Sequence, residues 1–98
     1  MLNPKQKAFL KSLAQKQKPV FQIGKDGLNE NMLKTFSDAL EARELIKLHV
    51  LENSGEEPRE ILNELAAALD AEPVAATGRK IILYRASQKN PVIVLPKA

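Results

Sequence analysis

The stretch Val20-Phe21-Gln22-Ile23-Gly24-Lys25-Asp26-Gly27-Leu28-Asn29 decides how the rest of the chain is read. Its first four residues are rich in β-branched and aromatic side chains and stop at a glycine, as a short buried strand does. Beyond the Gly24 to Gly27 loop a helix is expected. Asn29 can cap it, with Leu28 and Leu33 at the N′ and N4 positions of a hydrophobic staple. Leu33, Phe36 and Leu40 then recur at helical spacing as its buried stripe. A strand, a glycine-bounded turn and a helix in succession open an α/β arrangement.

On the N-terminal side, Asn3-Pro4 reads as a helix start, since Asn caps free N–H groups and Pro is tolerated at the first helical position. The helix runs to about Lys16, with Phe9, Leu10 and Leu13 on one face and Lys7 and Lys11 on another. Lys18-Pro19 stops it, because the residue before proline is pushed out of the helical region. On the C-terminal side, Leu45 to Leu51 alternates, placing Ile46, Leu48 and Val50 on one face and Lys47 and His49 on the other. A turn-rich acidic loop, Asn53 to Pro58, leads to a third helix that buries Ile61, Leu62, Leu65, Ala66 and Leu69 and ends near Asp70. Val74 to Thr77 and Lys80 to Arg85 flank Gly78-Arg79, a pair suited to a type II′ hairpin turn. Gln88 to Pro91 reads as loop, and Pro91 to Pro96 as either an extended C-terminal arm or a loose fifth strand.

The order α-β-α-β-α-β-β predicts one α/β domain over residues 1–98 with a four-stranded mixed sheet. Strands joined through a helix are expected to run parallel, and the last pair antiparallel. The 98 residues leave no room for a second independent domain. With no cysteine there is no disulfide, thiolate metal site or cysteine nucleophile. No apolar run approaches the ~20 residues a membrane helix needs. The N-terminus also lacks a signal peptide's apolar core. The expectation is a soluble cytoplasmic monomer with no membrane partner.

The net charge of +3 is mild but unevenly laid out. Lys5, Lys7, Lys11, Lys16, Lys18 and Lys25 precede the first carboxylate, Asp26. Arg79, Lys80, Arg85, Lys89 and Lys97 follow the last one, Glu72, so all 12 acids lie in the middle of the chain. If the two basic ends meet in space, a polyanion sees a polarised molecule. The alternative is that lysine-rich termini only aid solubility.

Gly24-Lys25-Asp26-Gly27 sits where unpaired N–H groups of a helix N-terminus favour an anion. Glycines let a phosphate or sugar approach the backbone, and Lys25 adds a charge; this is the logic of the GXXG loop in KH domains. Two glycines three apart are common by chance, and a plain strand-to-helix turn explains them equally well. The lysine-striped first helix and the basic hairpin Gly78-Arg79-Lys80 raise the loop above chance. Arg79-Lys80 taken alone is more simply a solvated hairpin tip, and Lys7 and Lys11 the wet side of an amphipathic helix.

No Gly-Lys-Ser or Gly-Lys-Thr and no GxGxxG occurs, which disfavours nucleotide binding. No catalytic set and no metal-ligand cluster can be assembled around the single histidine, His49. No enzyme activity, cofactor, metal or small-molecule substrate is expected. Phe9, Phe21 and Phe36 read as core, and Tyr84 as the aromatic best placed for exposure, so phosphate contacts should outweigh base stacking.

Leu10 to Ala14, Pro19 to Glu30, Ala39 to Lys47 and Gly78 to Arg85 together resemble the CRM domain (chloroplast RNA splicing and ribosome maturation) in its bacterial stand-alone, YhbY-like form. The resemblance spans nearly the whole chain. It implies a fold similar to the C-terminal domain of translation initiation factor three and RNA binding through the GxxG loop and nearby basic surface. It also implies association with rRNA in precursors of the large ribosomal subunit. By position, the RNA-binding set is Gly24, Lys25, Asp26 and Gly27, supported by Lys7, Lys11, Arg79, Lys80 and Arg85. Asn29, Asn31 and Lys34 stand near the start of the second helix. The family loop often has a small or basic residue where Asp26 stands. The competing reading is a protein-interaction module that touches the ribosome through the acidic stretch Glu56, Glu57, Glu60 and Glu64.

Overall fold

The computed structural model describes residues 2–25 and 27–97. Helix α1 (Pro4–Gln15) begins in a reciprocal cap: the Gln6 N–H donates to Asn3 Oδ1 at 2.8 Å and the Asn3 N–H to Gln6 Oε1 at 3.1 Å. Strand β1 (Phe21–Ile23) is short, and its ladder starts one residue early, with the Val20 N–H donating to Lys47 O. Helix α2 (Glu30–Arg43) starts at Asn29, whose side chain accepts the Met32 N–H at 2.9 Å. Strand β2 (Leu45–Val50), a 3-10 turn (Glu52–Ser54), helix α3 (Pro58–Leu69), and strands β3 (Glu72–Thr77) and β4 (Lys80–Tyr84) complete the order. Gly78 takes φ 59, the positive torsion a type II′ turn demands at that position.

The sheet order is β1-β2-β4-β3. β1 and β2 pair in parallel through α2, while β4 enters antiparallel between β2 and β3. The strand directions are those expected. That insertion joins the last hairpin to the middle of the sheet.

Both sheet faces are covered, by different helices. Ile46, Leu48 and Val50 of β2, with Ile23, Ile81 and Leu83, pack under α2 (Phe36, Leu40) and α3 (Ile61, Leu62, Leu65, Leu69). Leu45, Val74, Ile82 and Tyr84 pack under α1 through Leu10 and Ala14, with Leu2 closing the end. Tyr84 is therefore buried, 7 % exposed, and not the exposed aromatic anticipated; its place opposite Leu45 points it under α1. Burial, and then the charge of Glu44, push its phenol above the usual value.

Residues 86–97 form no strand. They run as an arm over the α1 side, where Ile93 and Leu95 join the apolar cluster and the Gln6 side-chain amide donates to Pro96 O at 3.0 Å. Two carboxylates hold the arm. Glu44, the positive-φ residue that ends α2 (φ 66), accepts the N–H groups of Ser87, Val92 and Ile93 at 2.8, 2.7 and 2.8 Å. Glu41 accepts the Ser87 hydroxyl and the Gln88 and Lys89 N–H groups. Burial alone would raise the Glu44 carboxyl, but the N–H donors of Ile93, Ser87 and Val92 outweigh it and hold the pKa low.

Candidate nucleic-acid interface

The Gly24 to Gly27 loop leaves the sheet at the C-terminal end of β1, beside Leu51, whose N–H donates to Ile23 O at 2.8 Å. The Gly27 N–H returns to Gly24 O at 3.0 Å, closing a tight turn. Gly27 adopts φ 68 with nothing within 4 Å of where a Cβ would stand, so its backbone is open to an incoming group. A Cβ at Gly24 would meet Leu51 and Asn53 at ordinary contact distance. Lys25 is exposed, and Asp26 lies outside the described residues. Gly27 is separated from α2 by Leu28 and Asn29, and the Asn29 side chain already takes the Met32 N–H, so the turn stands a short way off the helix end.

Register gives the loop its neighbours. On the α1 face, Gln22 pairs with His49, His49 with Lys80, and Lys80 with Thr77. These form one polar row across all four strands. Gln22, Lys80 and Thr77 are exposed and His49 half-buried, outside the patch of Leu45, Val74, Ile82 and Tyr84 that packs under α1. One edge of the row runs into the glycine turn, two residues after Gln22. Its other end meets α1: Lys11 and Gln15 join Lys47, Thr77, Lys80 and Ile82 around a cleft of about 250 Å³. Lys7 stands one turn back from Lys11 on the same helix flank, ~6 Å along the axis.

Two of the arginines expected at the site have other occupations. Arg79 is half-buried, and its guanidinium donates to Val50 O at 2.7 Å, Leu51 O at 3.2 Å and Glu56 O at 2.9 Å. It stands near the glycine turn but ties the hairpin to the end of β2. Arg85 lies at the opposite end of β4, on the order of 17 Å from Lys80 at ~3.4 Å per residue. It donates to Ser37 Oγ, Ser37 O and Leu69 O and lines a separate cleft beside Asp38, Glu41 and Asp70. The structure thus does not bring Arg85 together with the loop.

Asn29 and Asn31 border a shallow cleft with Phe21, Gln22 and Thr35 next to the loop, and Lys34 is exposed on α2. Sequence reasoning passed over Gln22, Lys47 and His49. Alternation did place Lys47 and His49 away from the main core; only cross-strand register shows that His49 pairs with Lys80 and Lys47 with Ile82, on the same face.

The CRS1 / YhbY (CRM) domain profile matches residues 2–85, the span that holds all four strands and the loop. The chain belongs to the CRS1/YhbY (CRM) family. This CRM domain is 45% identical over 96 residues to the Bacillus subtilis protein named "Probable RNA-binding protein YqeI", covering 98% of this chain and 100% of that one. It is 38% identical over 88 residues to a Haemophilus influenzae protein named "RNA-binding protein", covering 90% and 89% of the two chains. Its fold matches the solution structure of a Staphylococcus aureus protein with a TM-score of 0.78 at 45% identity, over 98% of this chain and 100% of that one. The resemblance to the CRM family and the α/β architecture expected from sequence both hold.

Proposed function

We propose that this CRM domain binds structured ribosomal RNA by its phosphodiester backbone and acts, without catalysis, in assembly of the large ribosomal subunit in the cytoplasm. The observation that carries the reading is the continuity between the open glycine turn and the polar row Gln22–His49–Lys80–Thr77. Backbone N–H groups at a glycine turn donate to a phosphate at close range, and lysines beside it add the charge that dominates affinity for nucleic acid. The relatives named for RNA binding support RNA as the partner. The ribosomal assignment rests on the resemblance to YhbY-like proteins.

The test is a filter-binding titration of a large-subunit rRNA fragment with wild type and with the double variant Gly24→Asp/Gly27→Asp. Neither position is packed tightly enough to reject a side chain, and Asp is among the residues that tolerate positive φ. Affinity is expected to fall at least tenfold while the circular dichroism spectrum is kept. Unchanged affinity would remove the loop from the interface. A wild-type protein that fails to bind any rRNA fragment would return the acidic-surface reading.

A further inference from the structure

We infer that the cleft between α1 and the sheet is a second seat for a phosphodiester of the same RNA strand that crosses the glycine turn. This rests on the RNA-binding reading above and adds to it a defined anion site at Lys11, Lys47 and Lys80.

The cleft brings together lysines from three different elements, α1, β2 and β4, and no carboxylate lines it. Cations gathered without a counter-charge repel one another, and an anion entering among them relieves that repulsion. The side chains of Lys11 and Lys80 are exposed and, among the described residues, take part in no hydrogen bond or ion pair. Lys47 differs. Its Nζ reaches Ala14 O at 3.3 Å and Gln17 O at 3.4 Å, where the carbonyls at the end of α1 would otherwise present negative charge to the cleft. Two of its three donors are engaged there, so one remains for a ligand.

Thr77 and Gln15 supply uncharged donors, and Ile82 an apolar wall against which charge–charge attraction is less screened. At ~30 Å³ per water, a space of about 250 Å³ holds about eight waters, enough to admit a phosphate with part of its sugar. Lys80 lies two strands from Gln22, roughly 10 Å at the usual strand spacing. A single strand following the polar row would meet the glycine turn at one end and the lysine cleft at the other. The cleft beside Arg85 has no such field, since Asp38, Glu41 and Asp70 line it.

The test compares two charge-matched double variants by fluorescence anisotropy with a labelled rRNA fragment across a salt series. Lys11→Gln/Lys80→Gln removes two cleft charges; Arg59→Gln/Lys89→Gln removes two exposed charges, on α3 and on the arm. Losing one phosphate contact should lower the slope of log affinity against log salt by about 0.7–0.9 in the cleft variant only. Its affinity at low salt should fall about tenfold more than the control's. Retained wild-type RNA binding with the same slope in both variants, or an equal loss in both, overturns the cleft and leaves the RNA reading intact. No salt-sensitive RNA binding by wild type overturns both. Matching urea midpoints for all three proteins secure the comparison.

Discussion

Replacing Arg79 by alanine should unfold the protein more readily while leaving its grip on RNA nearly intact. The Arg79 N–Hε and one NH2 group reach three carbonyl oxygens, those of Val50, Leu51 and Glu56, and Arg79 O in turn accepts the Val50 N–H at 2.8 Å. The side chain thus staples the β3–β4 hairpin to the end of β2 and to the loop before α3. Hydrogen bonds from a charged donor contribute about 1.5–3 kcal/mol each when buried. Arg79 is only half-buried, and the carbonyls it leaves can recover water, so a total near 2–3 kcal/mol is expected. For a domain of this size that is a fall in Tm of about 10–20 °C. The assay is urea and thermal unfolding by circular dichroism, followed by RNA titration at 10 °C, where the variant is still folded. Unchanged stability together with a large loss of affinity would refute this account and make Arg79 a direct RNA contact.

Acid should release the C-terminal arm. Hydrogen bonds from the Ser87 hydroxyl and the Gln88 N–H lower the Glu41 carboxyl, and Glu44 is held low as described, both below the ordinary 4.5. A depressed folded pKa means their contribution is complete above about pH 4.5 and is lost as pH falls through the lowered folded values. Amide hydrogen exchange at Val92 and Ile93 should therefore quicken in acid before the sheet amides do; simultaneous loss of both would argue against a separate latch. Gly27→Ala should cost about 1–2 kcal/mol because of its φ of 68, whereas Gly24→Ala, with ordinary contacts, should be near neutral; urea denaturation separates the two.

The order of elements, the capped start of α1, the Asn29 cap of α2 and the apolar stripe of α3 were legible in the chain, since caps and 3.6- or 2-residue periods act locally. So was the glycine loop. The same local reasoning could not tell an arginine that reads a ligand from one that reads carbonyls: Arg79 and Arg85 look alike in sequence to Lys80, yet both are spent on backbone oxygens. Tyr84 misled for a related reason, since a strand's polar-looking face becomes interior when a helix lies on it.

What the sequence determined by itself was a set of elements, each specified by contacts within a few residues, and the charge that they carry. Tertiary structure alone decided that β4 inserts between β2 and β3. That insertion sets Lys80 beside His49, in one row with Gln22, and α1 brings Lys11 to the same cleft as Lys47. Register and helix placement depend on how two apolar faces are covered at once, and no local pattern encodes which residues then share an uncovered edge.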